Sequence, residues 1–355
     1  MAGELVYSPR MNIVFAHFNT PIPKHLRLNL ARTKSLFPNH KIYLITNLNQ
    51  DKTKDVYADV YHYNNHKEWD LLLNQLGHDK GFRGNFWFTS AARFLALAEF
   101  SKSNEGEFIH IESDVIIARD FPFELFSKSK AEIQYPIVSD SLAIASCLYV
   151  KNSKAANCLA STTISEALKD SKTTDMHILR TISNDEKSGY GMLATAPSAR
   201  NSMPKVSDEF LKNNSEAISY YHGIFDGFNL GRYLFGDDPR NKRGWSKIRD
   251  SDMTNYLDVR KLQFSMNSDR EFPFAYDSQS NKYIPIFSLH IHAKKLALFD
   301  IKSSSKKIRK AVEAAQDPTK SVFSTLTLIK SIKDSLLRRF TKQIKFYKYS
   351  FSKFR

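Results

Sequence analysis

The chain has 355 residues, of which 42% are hydrophobic and 13% aromatic, and its formal net charge is +15. This composition predicts one or two folded domains with a substantial core, and it excludes disordered and collagen-like chains. Cys147 and Cys158 are too few for a disulfide framework and lack metal-ligand spacing, so we expect free thiols in a reducing compartment. Met1–Arg10 lacks the apolar segment of a signal peptide, and no run of about 18 apolar residues occurs, which predicts a cytoplasmic protein without a membrane span.

Strands and helices alternate along the first part of the chain. Asn12–Phe18 is typical of a buried strand, His25–Phe37 of an amphipathic helix, and Lys41–Thr46 of a second strand. This order predicts an α/β domain with a largely parallel sheet. Sheets of this class bind ligands at the carboxyl ends of their strands. We therefore expect nucleotide contacts from three polar residues at these ends: His17, Asn19 and Thr46.

The next helix and strand bring a basic and two acidic side chains into an apolar setting. Asn85–Phe100 predicts a helix with an apolar face, and Arg93 lies among its core-facing residues. The following strand-like run is interrupted by Glu112, Ser113 and Asp114. Carboxylates two residues apart on an extended chain point the same way, and a hard divalent cation would offset their repulsion. The alternative for Glu112 and Asp114 is a pair of solvated acids in a turn. Three positions are open for Arg93: the protein surface, an ion pair with these acids, or a contact with a phosphate.

Asp175 and Asp226 are further acidic candidates. Asp175 opens a predicted helix whose N-cap is Thr174. Asp226 lies in Gly223–Gly244, where glycine, aspartate and aromatic residues alternate, and this composition predicts a structured loop with a short helix. A helix-capping role and a catalytic role are both open for Asp226.

A late strand ends in two histidines. Its last residues are His290-Ile291-His292, and Lys294 follows. A histidine at a strand end beside two acids would complete a metal site, and a neighbouring lysine would neutralise phosphate charge. Both histidines share a strand face, so either of them can be the ligand.

The positive charge is concentrated at the C-terminal end. Residues 301–355 carry 15 Lys and Arg against three Asp and Glu, whereas residues 1–300 are close to neutral. This difference predicts a main domain over residues 1–300 and a basic extension over residues 301–355. From Val322 onward apolar residues recur at steps of three and four, which is typical of an amphipathic helix. Such a helix fits the surface of an anionic membrane, and docking of its apolar stripe on the main domain is the alternative.

Together these segments resemble metal-dependent glycosyltransferases of the GT-A fold, and in particular transferases of bacterial surface polysaccharides such as capsule and lipopolysaccharide. The resemblance extends from Asn12 to Lys295, and Glu112-Ser113-Asp114 corresponds to the DxD-type element. The first acid of this element is Glu and not Asp, and which of the two acids binds the metal directly is therefore open. The other matching segments are the helix with Thr89 and Arg93, the stretch Phe225–Leu234, the stretch Asp237–Asn241 and the stretch Leu289–Lys294.

The resemblance implies a Rossmann-like GT-A fold with a mostly parallel central sheet and a hexosyl- or pentosyltransferase activity. The donor would be a nucleotide sugar with Mn²⁺ or Mg²⁺ on its diphosphate, and the acceptor a glycan or a lipid-linked glycan. The implied metal ligands are Glu112, Asp114, His292 and, as the fallback, His290. The implied donor contacts are Arg93, Glu112, Ser113 and Lys294. The implied general base is Asp226, with Asp175, Asp237 and Asp238 as weaker candidates.

Other classes of function are also compatible with parts of the sequence. One is a catalytically silent GT-A-like sugar-binding protein. Another is a nucleic-acid-binding protein that uses the basic tail, but the chain has no recognition motif, so we expect no nucleic-acid partner. A lipid-linked acceptor together with the basic tail predicts peripheral attachment to the inner face of the membrane.

Overall fold

The computed structural model describes residues 11–82, 85–139, 142–197, 203, 206–236, 257–267, 270–294, 296–299 and 304–316. Within these ranges the chain forms a mixed α/β structure around a seven-stranded central sheet. The elements of the first half are β1 (Asn12–Ala16), α1 (Lys24–Leu36), β2 (Ile42–Thr46), α2 (Gln50–Thr53), β3 (Asp59–His62), α3 (His66–Gln75), α4 (Phe86–Ser103), β4 (Phe108–Ile111), β5 (Val115–Ile117), α5 (Phe123–Lys128), β6 (Ile133–Pro136) and β7 (Cys147–Val150). The later elements are α6 (Ser153–Lys169), α7 (Asp175–Ser183), β8 (Tyr190–Leu193), α8 (Asp208–Tyr221), β9 (Ile224–Phe225), α9 (Asn229–Phe235), β10 (Phe264–Ser265), β11 (Phe274–Asp277), β12 (Lys282–His290) and α10 (Ser304–Gln316).

The central sheet is mostly parallel, as the alternation of strands and helices predicts. Its strand order is β3-β2-β1-β4-β7-β6-β8. The pairs β3–β2, β2–β1, β1–β4 and β6–β8 are parallel, and β7 is antiparallel to both of its neighbours. Parallel neighbours need a long crossover, which helices such as α1 supply. The carboxyl ends of β1, β2 and β4 therefore lie at one edge of the sheet.

A second sheet joins the first at the acidic segment. β10, β11, β12 and β5 form an antiparallel sheet in that order, and β9 pairs with β12 in parallel. The chain leaves β4 at Ile111 and enters β5 at Val115, so Glu112–Asp114 connects the two sheets. β12 pairs with β5 in a register that sets His290 opposite Val115. This pairing brings the end of the late strand beside the two acids.

The two faces of the central sheet bury different apolar clusters, because successive strand residues point to opposite faces. Ile13 and Phe15 pack in a cluster with Leu26 and Leu30 of α1. Val14 packs in the other cluster, which contains most of α4 together with buried residues of α3 and α6. Helix α4 is buried on nearly all sides, since it lies against both the sheet and α6. This position explains why its sequence is apolar around most of the helix.

Two elements differ from the sequence expectation. The residue pattern of Gly189–Pro204 indicates a loop or irregular strand, and the structure has the regular strand β8 there, which pairs in parallel with β6. Helix α8 was not predicted. Its start carries a recognisable signal, because the side chain of Ser207 accepts a hydrogen bond from the backbone N–H of Phe210 and caps the helix.

Helix α10 lies beyond the predicted domain boundary at residue 300 and packs on the main body. Its residues Ile308 and Val312 are buried, and it contacts α9 and β10. The amphipathic pattern from Val322 and the candidates Asp237 and Asp238 lie outside the described residues. Among the helices that are described, none combines the length and apolarity needed to cross a bilayer.

Candidate metal and donor site

Two carboxylates and one imidazole converge where the two sheets meet. Glu112, Asp114 and His290 each offer one ligand atom, and these atoms lie within 4.8 Å of one another. Nε2 of His290 is 3.3 Å from Oδ2 of Asp114 and 3.6 Å from Oε2 of Glu112. Within the described part of the chain, no other group of three or more acidic, histidine or cysteine side chains meets this criterion. The donor set fits a divalent metal ion.

The acidic segment is a turn, as in one of the alternatives that the sequence left open, and not an extended chain. The backbone N–H of Val115 donates to the carbonyl of Glu112 at 3.0 Å. Asn29 of α1 fixes the turn, because its side-chain amide donates to the carbonyls of Ser113 and Val115 at 3.2 and 2.7 Å. The Ser113 hydroxyl lies 3.3 Å from Nε2 of His25. This turn directs both carboxylates toward the same imidazole.

The contribution of Asn29 was missed by the sequence analysis. Asn29 is buried and lies between the buried Leu26 and Leu30 on the core face of α1. A polar amide on an apolar helix face has to find hydrogen-bond partners. An asparagine between two core-facing leucines of a predicted helix therefore indicates a residue whose side chain binds a neighbouring loop.

The imidazole of His290 is oriented for metal binding. Its Nδ1 donates to the carbonyl of Gly227 at 3.0 Å, so that Nε2 faces the carboxylates. Metal-ligating histidines ordinarily donate their other ring N–H in this way. Burial lowers the pKa of His290, but the Asp114 and Glu112 carboxylates outweigh burial and raise the pKa to about 9. Without a cation, the imidazolium balances the charge of the acids.

His292 lies beside the cluster and is not one of its three members. Its ring stacks on that of His290 with a centroid distance of 4.1 Å and an interplanar angle of 20°. Burial and the charge of His290 hold the pKa of His292 well below its ordinary value, so this ring is neutral. The structure thus brings the fallback ligand His290 to the acids. Metal binding by His292 stays a prediction.

Lys294 supplies a positive charge at the rim of the cluster. The chain turns after β12, where Lys294 has a φ of +55° and its N–H donates to the carbonyl of Ile291 at 2.8 Å. Its Nζ contacts Oδ2 of Asp114. Burial opposes ionisation of Asp114, but His290 and Lys294 hold the pKa of this carboxyl well below its ordinary value. Asp114 is therefore ionised at neutral pH.

Arg93 forms a buried bridge between two acids. One guanidinium nitrogen is 2.5 Å from Oε1 of Glu112, and the other contacts Oδ2 of Asp175 at the start of α7. Arg93 is only 7% exposed and Asp175 only 6%. Burial raises the pKa of Asp175 above its ordinary value, against the opposing charge of Arg93. Of the alternatives left open by the sequence, the structure places Arg93 in an ion pair with the acidic site.

Asp226 connects α9 to the end of β12. Its Oδ1 accepts the N–H of Leu230 at 3.0 Å, and its Oδ2 accepts the N–H groups of Gly231 and His290 at 2.6 and 2.9 Å. The side chain is buried, and burial raises the pKa of its carboxyl. These contacts give Asp226 a capping and positioning role. Its action as a general base stays a prediction.

The chain is similar to solved sugar transferases. One is the galactosyltransferase LgtC in complex with donor and acceptor sugar analogs, with 14% identity over 58% of this chain and 83% of that chain and a TM-score of 0.40. Another is the apo form of the glycosyltransferase GlyE of Streptococcus pneumoniae TIGR4, with 17% identity over 52% and 45% of the two chains and a TM-score of 0.34. A third is mouse xyloside xylosyltransferase 1 in its apo form, with 10% identity over 59% and 93% and a TM-score of 0.34. No family model and no curated protein matches the sequence. Similarity at this level carries no argument about substrates or residue roles.

The predicted nucleotide contacts follow the strands that border the acidic cluster. β1 runs parallel to β4, with Val14 opposite His110, two residues before Glu112. His17 places Nε2 2.8 Å from the carbonyl of Thr20. These residues therefore lie at the same sheet edge as the cluster, and their contact with a nucleotide stays a prediction.

Asn19 and Thr46, the other two predicted contacts, are engaged within the protein. Asn19 accepts a hydrogen bond from the side-chain amide of Asn47 at 2.7 Å. Thr46 is fully buried, and its hydroxyl accepts the N–H of Leu48 at 3.2 Å. Since the Thr46 hydroxyl is enclosed, Asn19 at the exposed end of β1 is the more accessible of the two.

Gly231 allows α9 to lie directly on the end of β12. A Cβ at this position would be 2.3 Å from the carbonyl oxygen of His290. We expect Gly231→Ala to push α9 away from His290 and to lower the free energy of unfolding by about 1–3 kcal/mol. Chemical denaturation checks this result, with Gly81→Ala as the control, because among the described residues the added Cβ there would meet a side-chain oxygen of Asp79 at 3.2 Å and no backbone atom. Equal stability of both variants would contradict the prediction.

Proposed function

We propose that this protein is a GT-A glycosyltransferase that moves a sugar from a nucleotide-sugar donor to a glycan acceptor. The observation that carries the proposal is the cluster of Glu112, Asp114 and His290 at the carboxyl edge of a mostly parallel sheet. That edge is where α/β sheets bind nucleotides. A hydrolase with two metal ions would need a second cluster of ligands, and the described residues contain only this one.

The side chains of the site have distinct proposed roles. A divalent cation, Mn²⁺ or Mg²⁺, bound by Glu112, Asp114 and His290 would supply Lewis-acid stabilisation of the charge on the departing nucleoside diphosphate. Lys294 lies beside Asp114 and adds an ammonium group for the diphosphate oxygens. Arg93 holds the Glu112 carboxylate in place through the buried ion pair.

Acid–base chemistry is proposed for Asp175 or Asp226. An inverting reaction needs a base that removes the proton of the acceptor hydroxyl. Both carboxyls are buried, and burial raises both pKa values, which favours proton uptake. Asp226 accepts three backbone hydrogen bonds and Asp175 pairs with Arg93, so each carboxyl already has partners within the protein and Asp226 stays the first candidate.

A thermal-shift panel tests the donor site. The panel contains UDP, GDP, CDP and their sugar conjugates, each with Mn²⁺ and with EDTA. Because a ligand that binds only the native state stabilises it by about 2.7 kcal/mol at a hundredfold excess over Kd, we expect one base to raise Tm by several degrees with metal only. The same rise in EDTA would contradict metal dependence. No rise with any nucleotide would favour the sugar-binding alternative.

We further propose a lipid-linked acceptor and peripheral attachment to the inner face of the membrane through the basic tail. Residues 319–355 carry ten Lys and Arg, and each basic residue near an anionic surface contributes about 1 kcal/mol. Deletion of residues 319–355 should lower binding to phosphatidylglycerol vesicles at least tenfold and spare turnover of a soluble acceptor. Flotation with neutral phosphatidylcholine vesicles is the control. Equal binding of both chains to anionic vesicles would refute the proposal.

A further inference from the structure

Four aromatic rings form a partly exposed surface at the start of α4. Trp87 is at the centre, with ring centroids 6.0 Å from Phe82, 5.1 Å from Phe86 and 5.7 Å from His78. Phe82 and Trp87 are stacked with an interplanar angle of 10°. Phe82 is 37% exposed and Phe86 is 39% exposed. We call His78, Phe82, Phe86 and Trp87 the aromatic platform.

The platform lies at the same edge of the sheet as the acidic cluster. Helix α4 ends at Ser103, shortly before β4 begins at Phe108, so its N-terminus is at the carboxyl end of β4. Phe86 and Arg93 are seven residues apart and therefore share one face of α4. Two helical turns correspond to about 10 Å along the axis, and Arg93 contacts Glu112. The platform thus borders the proposed donor site.

A second connection runs through the loop that carries the platform. The N–H of Gly77 donates to the carbonyl of Ser171 at 2.9 Å, and Nε2 of His78 donates to the carbonyl of Thr173 at 2.8 Å. Thr173 is two residues before Asp175, the partner of Arg93. The platform is therefore tied to the segment that places Asp175 in the site.

We propose that the aromatic platform binds a pyranose ring of the acceptor glycan, an inference that rests on the proposed glycosyltransferase function. The C–H face of a pyranose is apolar and packs on aromatic rings, which combine a large apolar area with little loss of conformational freedom. The exposed Asp79 and Lys80 at the rim offer an acceptor and a donor for sugar hydroxyls.

The loop geometry supports a binding surface that is formed in advance. The N–H of Phe82 donates to the carbonyl of Asp79 at 3.1 Å, and the N–H of Phe86 donates to the carbonyl of Phe82 at 3.0 Å. These bonds hold the backbone of Phe82 and Phe86 at the start of α4, and the stacking of Phe82 on Trp87 orients two of the rings, which reduces the ordering needed on binding. A bilayer is the other surface that accepts exposed aromatic rings, and vesicle binding is therefore measured beside sugar binding.

Saturation-transfer NMR on the full chain tests the inference with defined probes. The probes are methyl β-D-glucopyranoside, methyl β-D-galactopyranoside, lactose and N,N′-diacetylchitobiose at up to about 50 mM, well above a Kd of ~1 mM. We expect at least one probe to receive saturation at its ring C–H protons. Phe86→Ala should raise the Kd of that probe about three- to tenfold. Phe86→Trp, which keeps an aromatic ring, should give the wild-type Kd.

The controls separate this inference from the proposed function. Tyr283→Ala removes an exposed aromatic ring of the second sheet and should leave the Kd unchanged. Donor binding is measured on the same samples as the Mn²⁺-dependent thermal shift, which Phe86→Ala should preserve. Donor binding without binding of any probe overturns the platform alone, whereas absence of a donor shift overturns the proposed function. Loss of phosphatidylglycerol-vesicle binding in Phe86→Ala, with probe binding unchanged, would assign the rings to the membrane and overturn the inference.

Discussion

Asp114→Asn is expected to abolish metal-dependent nucleotide binding and to lower transfer at least about 10³-fold. The substitution keeps the shape of the side chain and removes the charge that faces His290 and Lys294. A neutral amide binds a hard cation more weakly than a carboxylate does. Loss of the cation removes Lewis-acid stabilisation of several kcal/mol from the transition state. A loss of about 4 kcal/mol in transition-state stabilisation corresponds to about 10³ in rate.

The fold of Asp114→Asn should persist. Lys294 is partly exposed, so its ammonium group can turn to water when the carboxylate is removed. The pKa of His290 is raised by Asp114 and Glu112, and it should fall when Asp114 loses its charge, while Glu112 stays beside the imidazole as a counter-charge. The variant therefore avoids an uncompensated buried charge.

Titration calorimetry with Mn²⁺ and the nucleotide found in the thermal-shift panel measures the binding loss, and denaturant unfolding measures the stability. Asp51→Asn is the matched control, since Asp51 is an exposed acid that pairs with Lys54 at the surface. Loss of cooperative unfolding in Asp114→Asn would assign Asp114 a structural role. Retained metal-dependent binding would place the metal elsewhere.

Arg93→Met is expected to destabilise the protein by about 3–5 kcal/mol and to impair donor binding. The guanidinium neutralises Glu112 and Asp175 at once in a buried position. Removing one partner of a buried ion pair leaves an uncompensated charge, which costs about this amount. Arg93→Lys should restore little, because one ammonium group cannot make the two separate contacts of the planar guanidinium.

The pH dependence of Arg93→Met gives a second readout. Burial already raises the pKa of Asp175, and loss of the positive charge raises it further. A carboxyl whose folded pKa exceeds its unfolded pKa releases its proton more readily on unfolding. Its destabilising effect therefore grows as the pH rises from the unfolded pKa through the folded pKa. As the pH rises above the ordinary carboxyl pKa of about 3.9, the variant should therefore lose more stability than the wild type does.

The double variant Arg93→Met/Asp175→Asn tests the cause of the destabilisation. It should regain part of the lost stability, because one of the two buried charges is gone. Denaturant unfolding of the four proteins of this cycle supplies the comparison. Additive losses would show that the cost of Arg93→Met arises from packing and not from charge.

The local pattern of apolar residues was sufficient to predict most strands of the central sheet. The apolar runs at β1, β2 and β4 and the helical periodicity of α1 and α4 predict buried strands and helices. The carboxyl-edge rule then places His17 and Glu112 at one border, where the structure has them. Periodicity reports which side of an element is buried, and this information is local in the chain.

The roles of single polar residues were decided by the tertiary structure. Lys294 is 180 residues from Asp114 in the chain, and the pairing of β12 with β5 brings them into contact. The same pairing selects His290 for the acidic cluster and leaves His292 stacked outside. Strand register between distant segments depends on packing of the whole fold, which no local pattern encodes.

The sequence by itself thus determined the α/β class, the sheet edge and the residue types that gather there. It left Arg93 open between surface, ion pair and phosphate, and Asp226 open between cap and catalyst. The tertiary structure placed Arg93 between two buried acids and Asp226 on three backbone N–H groups. The physical reason is that a polar side chain acquires its role from its partners, and these partners are supplied by elements that meet only when the chain is folded.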